Sequence, residues 1–204
     1  MYHLENKNIT IAVDSKGAEL KSVFNKANQQ ELLWQAKSKF WGKSSPVLFP
    51  IVGTLKNGIY IYQGKEYQLP RHGFARDYNF EVQQVSDNQL FFSLKSSAET
   101  LKVYPFLFRL QIIYTLNNDC LKVEYKVENL SDVEAMYFSL GAHPAFNVGN
   151  TAKEFCDYKL LFNNDHKLKA NNLNNGLLTA DQHTVLLNNQ RLELGYKLFE
   201  NDAL

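Results

Sequence analysis

Arg109 to Val127 reads RLQIIYTLNNDCLKVEYKV. On both sides of Asn117-Asn118-Asp119 apolar and polar residues take turns, and the apolar ones are mainly aliphatic or aromatic. A period of two marks a strand with one face toward a core and the other toward water. Asn and Asp tolerate the left-handed backbone of a tight reversal, so the stretch predicts a hairpin of Arg109–Leu116 with Leu121–Val127. Cys120 heads the second run and reads as a strand residue, not a reactive thiol.

The same grammar extends in both directions. Tyr60-Ile61-Tyr62 and Glu66–Leu69 flank Gln63-Gly64-Lys65, and Phe80–Val85 and Leu90–Leu94 flank Ser86-Asp87-Asn88. Near the N-terminus, Asn8–Val13 alternates, and Ala18–Phe24 follows the turn-forming Ser15-Lys16-Gly17. Helical signals are few: Ser96–Leu101 suits one short turn that Pro105 would end. The Asn pairs between Asn163 and Asn189 read as loops joining short strands. Arg191–Phe199 (RLELGYKLF) reads as a strand or hairpin, and the chain stops five residues later. The expectation is one all-β domain over 1–204, an antiparallel β-sandwich, C-terminally truncated. A sheet cut there would leave an open edge, which favours association, for instance as a homodimer.

Composition narrows the function classes. Of 204 residues, 45% are hydrophobic and 21% charged, which excludes a disordered or collagen-like chain. Lys+Arg at 22 against Asp+Glu at 21 lacks the basic excess a nucleic-acid binder uses to displace counterions. The 14 Phe, 11 Tyr and 2 Trp suit half-buried strands and sugar-binding surfaces alike. Cys120 and Cys156 form neither a disulfide framework nor a zinc spacing. No basic region followed by an apolar core opens the chain, and no apolar run approaches the ~20 residues of a membrane helix. The expectation is a cytoplasmic protein with no nucleic-acid or membrane partner.

Three segments break the strand grammar by mixing turn formers, aromatics and titratable groups. They are Pro46–Gly58 (PVLFPIVGTLKNG), Pro70–Asp77 (PRHGFARD) and Ser139–Asn147 (SLGAHPAFN). In the last two a histidine precedes Gly or Pro, which puts His72 and His143 at strand ends. Histidine titrates near neutrality, so both positions suit acid–base work, although a histidine at a strand end is more often a hydrogen-bonded structural residue. Arg76-Asp77 alone reads as a local ion pair. His3, His166 and His183 lie in polar stretches and read as solvated. His72 and His143 lack the close ligand spacing of a metal site, so none is expected.

RHGFARD, FPIVGTLKNG, YPFLFRLQIIYTL and SLGAHPAFN, in this order and at these separations, resemble the aldose 1-epimerase (galactose mutarotase) family. The branch they look like is that of short bacterial proteins associated with lactose operons. The resemblance runs from GAELKSV (Gly17–Val23) and ELLWQ (Glu31–Gln35) to the last residue. It implies an antiparallel β-sandwich with a sugar in a cleft on a concave face, and no cofactor. It assigns His143 as the general acid that protonates the ring oxygen of an aldohexose such as galactose or glucose. His72 would bind the sugar near that oxygen, and Phe74, Arg76 and Asn147 would line the substrate.

Two departures from the family pattern are visible. Many relatives carry a sugar-binding arginine after the first FP motif, where this chain has VGTLKNG, with Thr54 or Lys56 near that place. The glutamate that serves the family as general base has no motif match within Leu186–Leu204; neither Glu193 nor Glu200 stands in it, and Asp202 matches a sugar-binding aspartate only loosely. Three functions follow from the resemblance: an aldose 1-epimerase, a relative acting on hexose 6-phosphates with Arg76 near the phosphate, and a non-catalytic sugar-binding or sensing domain.

Overall fold

The computed structural model describes residues 1–149 and 152–200. The chain divides into two compact units, 1–147 and 148–204. Asp202 lies outside the described residues.

In the first unit β1 (Tyr2–Glu5), β2 (Ile9–Val13), β3 (Leu20–Asn25) and β4 (Gln30–Glu31) form an antiparallel sheet in sequence order. Two residues, β5 (Val47–Leu48), follow at the first of the three irregular segments. β6 (Ile59–Tyr62) and β7 (Lys65–Gln68) make a hairpin whose Gln63 and Gly64 both have positive φ, 49° and 76°. That is the mirror-image turn whose twist matches flanking strands. β8 (Glu81–Ser86), β9 (Gln89–Lys95), β10 (Phe108–Asn117) and β11 (Cys120–Asn129) form the second antiparallel sheet, in spatial order β11-β10-β9-β8.

The Arg109–Val127 hairpin forms as read, one residue longer at its inner ends, with Asn117 opposite Cys120. Phe108, Leu110, Ile112, Tyr114 and Leu116 are all buried along β10, while the residues between them are not. Each such side chain contributes about 1.5–3 kcal/mol when fully removed from water. The two sheets share one apolar cluster, with Ile11 and Val13 from β2 and Phe92, Ile112 and Tyr114 from β9 and β10. The Tyr114 hydroxyl, itself buried, donates to Ala18 O at 2.8 Å across that core. This is the expected antiparallel sandwich.

Between β9 and β10 the short turn expected at Ser96–Leu101 is a helix, α1 (Ala98–Val103). Ser97 and Thr100 bond reciprocally to each other's backbone amides, and the helix ends just before Pro105. The last strand of the unit, β12 (Gly141–Ala142), pairs with β5.

The second unit holds α2 (Ala152–Cys156), β13 (Lys159–Leu161), β14 (Lys167–Asn174), β15 (Leu177–Leu186) and β16 (Arg191–Glu193). Here the loop reading of the Asn-rich stretch is overturned. β14 and β15 form one long hairpin around Asn175-Gly176, with φ of 51° and 76°. Asn-Gly is the strongest short hairpin signal, and the apolar Leu168, Leu173, Leu177 and Val185 carry the strands while Asn fills outward positions. Only the first three residues of Arg191–Phe199 are strand; Tyr196–Phe199 curl into a 3-10 turn. No helix of the described residues is long and apolar enough to cross a membrane.

Candidate active site

The three irregular segments come together in the first unit. Beyond the two paired residues of β5 and β12, Ser139 N donates to Pro50 O at 2.8 Å, His143 N to Pro46 O at 3.2 Å and Ala145 N to Ser44 O at 2.9 Å. Ser44–Pro50 and Ser139–Ala145 therefore run side by side. On the other flank Phe49 bridges Gly73, and Phe49 O accepts from both Phe74 N and Ala75 N. His72 N donates to Gly53 O at 2.8 Å. The run from Ser44 to Gly53 is thus a rail to which both histidine segments are bonded.

That arrangement sets the rings of His72 and His143 with centroids 6.0 Å apart and planes at 31°. Gly73 explains the sequence beside His72. A Cβ there would lie 2.6 Å from Pro50 N and inside the contact distance of Phe49 O, and φ is +70°. No side chain fits, so the residue after His72 is glycine and the chain can press against Phe49.

The two rings have different surroundings. His72 is half-buried, and its Nδ1 accepts from Gly53 N at 3.0 Å. Burial, then the nearby charges of Arg71 and Arg76, then His143, hold its pKa below the ordinary 6.5. His143 is exposed and carries no hydrogen bond on its ring among the described residues. The Trp41 ring stands edge-to-face on it at 5.1 Å, and Trp34 Nε1 fixes Trp41 by donating to its carbonyl at 2.8 Å. A buried carboxylate anchors the start of the rail: Glu19, 5% exposed, accepts from Ser44 N at 2.6 Å and Ser45 N at 3.2 Å.

Two expected substrate residues have structural partners of their own. Phe74 is 5% exposed and packs among Phe49, Tyr78, Tyr104 and Phe108, so its ring is part of the core and not of a sugar platform. Asn147 uses its amide nitrogen on Glu31 O at 2.8 Å and Leu33 O at 2.7 Å, which ties its segment to the loop after β4. Arg76 sits on the 3-10 turn Ala75–Asp77, with Nη2 on Arg71 O at 2.8 Å and Nε 3.7 Å from Asp77. The local ion pair exists, and Lys43 reaches the same Asp77 at 3.8 Å. Thr54 and Lys56 are exposed on the loop after Gly53. His3, His166 and His183 are exposed, the last with Nδ1 2.8 Å from Asn172 Oδ1. Among the described residues no three His, Cys, Asp or Glu side chains gather as a metal site, and both cysteines are free and exposed.

Trp41, Glu19 and Gly53 were not anticipated as parts of the site. Glu19 leaves one trace, an acid inside the apolar run of GAELKSV. Gly53 acts through its backbone, which no side-chain pattern reports.

The aldose 1-epimerase family model matches residues 1–202. The chain belongs to that family. As an aldose 1-epimerase family member it is 36% identical to the plasmid-encoded LacX protein of Lactococcus lactis over 98% of its own length and 70% of the relative's. A galactose mutarotase related enzyme from Lactobacillus acidophilus has the same fold, with a TM-score of 0.90 at 36% identity over 98% of this chain and 67% of the other. A galactose mutarotase-like protein from Lactobacillus casei also gives 0.90, at 34% identity over 99% and 70%.

Proposed function

We propose that this family member interconverts the α and β anomers of a free aldohexose, galactose or glucose, by opening and re-closing the hemiacetal ring. The observation that carries the reading is the pair of histidines held 6.0 Å apart in unlike surroundings. Ring opening needs one proton delivered to the ring oxygen and one removed from the anomeric hydroxyl. His143, exposed and with its ring nitrogens uncommitted, delivers the first. His72 hydrogen-bonds the same region of the sugar, and Trp41 supplies the aromatic wall. A carboxylate takes the second proton, and neither Glu193 nor Glu200 stands in the pattern that the family resemblance gives for it.

The test is anomer exchange followed by polarimetry and proton NMR on galactose, glucose and their 6-phosphates. The chain of 204 residues is compared with one lengthened to the span of its relatives. In the longer chain His143→Asn lowers kcat by about two to four orders of magnitude and sugar affinity far less. Equal loss of both overturns the acid assignment. Sugar binding without turnover in either chain would instead establish a sensing domain. Arg71 and Arg76 both act electrostatically on His72, which favours a second reading with a hexose 6-phosphate as substrate; the 6-phosphate arms of the assay decide it.

A further inference from the structure

Gly53 and His72 are bonded to each other twice. Gly53 N donates to His72 Nδ1 at 3.0 Å, and His72 N donates to Gly53 O at 2.8 Å. Both residues lie in the left-handed region, with φ of +86° and +69°. An imidazole nitrogen that accepts from an N–H cannot itself carry a hydrogen, because two donors would then face each other. We propose that Gly53 is a positioning residue whose amide holds His72 in the neutral tautomer protonated on Nε2, so that His72 meets its ligand as a hydrogen-bond donor.

The geometry gives the glycine a specific reason. A Cβ at Gly53 meets nothing within 4 Å, so space is not the constraint; the backbone conformation is. Only at φ near +86° does this peptide turn its N–H to the ring and its carbonyl to the His72 amide, and side-chain-bearing residues reach that conformation at a cost. The charged groups around His72 act in one direction. Arg71, Arg76 and His143 all oppose a second proton on the ring. Held this way, His72 is a poor proton source and offers one hydrogen to an oxygen acceptor. That division of labour rests on the sugar reading above, whereas the tautomer itself does not.

The experiment is nitrogen-15 NMR of the full chain labelled at histidine and glycine, with His72 assigned by its loss in His72→Gln. The expected spectrum at neutral pH has a pyridine-type Nδ1 and a pyrrole-type Nε2, with a through-hydrogen-bond coupling between Gly53 N and His72 Nδ1. The signature persists when the pH is lowered to 6.5, the ordinary histidine value. A pyrrole-type Nδ1, a rapidly averaged mixture, or a His72 half-protonated at 6.5 or above overturns the proposal. Gly53→Ala, where its remaining spectrum shows a folded chain, loses the single-tautomer signature, and an unchanged signature overturns the role of Gly53. If that variant does not fold, the coupling in the unaltered chain still decides.

A sugar-binding arm separates the two readings. His72→Gln places its N–H2 donor near the position of Nε2, while the shorter His72→Asn can accept from Gly53 but its N–H2 stops short of that position, so Asn binds galactose about tenfold more weakly than Gln. Equal affinities beside an intact tautomer signature overturn the sugar reading and leave the tautomer standing.

Discussion

At the scale of single residues the two histidines differ in what pH does to them. His72 has a folded pKa below 6.5, so the unfolded chain takes up its proton first as pH falls. Stability from this group is complete above the ordinary value and declines from 6.5 down to the lowered folded value. Urea unfolding across that window shows the decline, and His72→Gln flattens it; an unchanged slope in the variant assigns the decline to other groups. Gly73 has no such tolerance. Gly73→Ala drives a methyl into the Phe49–Pro50 peptide at a positive φ, and we expect a loss of more than about 4 kcal/mol in the same measurement, or no folded protein. A loss under about 1 kcal/mol would mean that the contact with Phe49 relaxes freely.

The elements show what sequence could and could not announce. β10 and β11 were legible because every second residue of Phe108–Leu116 goes to the core and Asn118 takes the left-handed turn position, φ 55°. The β14–β15 hairpin departs from the loop reading because Asn pairs signal turns individually: Asn175-Gly176 and Asn189-Gln190 do reverse the chain at positive φ, while Asn171, Asn172 and Asn174 sit on exposed strand positions. β1 was not anticipated, since Tyr2–Glu5 has one buried residue, Leu4, and takes its strand form from pairing with β2. In the site, His72 and His143 stood out by their Gly and Pro neighbours. Phe74 and Asn147 belong to the same motifs; the first packs in the core and the amide of the second bonds Glu31 O and Leu33 O, contacts that a motif does not report. Glu19 works at this scale by anchoring the Ser44–Pro50 rail. Glu19→Ala leaves two buried amides unpaired and should cost about 3–5 kcal/mol, while Glu19→Gln keeps an acceptor and costs about 1 kcal/mol, both read by urea unfolding. Equal costs would show that the amides find other partners.

For the whole molecule the uneven placement of the core has a measurable result. The residues of the main apolar cluster all come from 1–147, whereas in 148–204 only Leu192 is a buried hydrophobic among the described residues. Amides opened by local fluctuation exchange first where little apolar surface is buried. Hydrogen exchange should therefore label β13 to β16 orders of magnitude sooner than the centre of β10, and comparable protection in both would contradict the reading of two unequal units.

Phe49 joins these scales. Its ring contacts Phe74, Tyr104, Phe108 and Phe138, and its carbonyl receives the two amides that follow Gly73. A substitution at Phe49 cannot change the histidine spacing and leave the thermal tolerance alone. Libraries that leave Phe49 fixed and vary Lys37–Gly42 and Thr54–Asn57 alter the largely exposed stretches around Trp41 and after Gly53 while sparing the residue on which both properties turn.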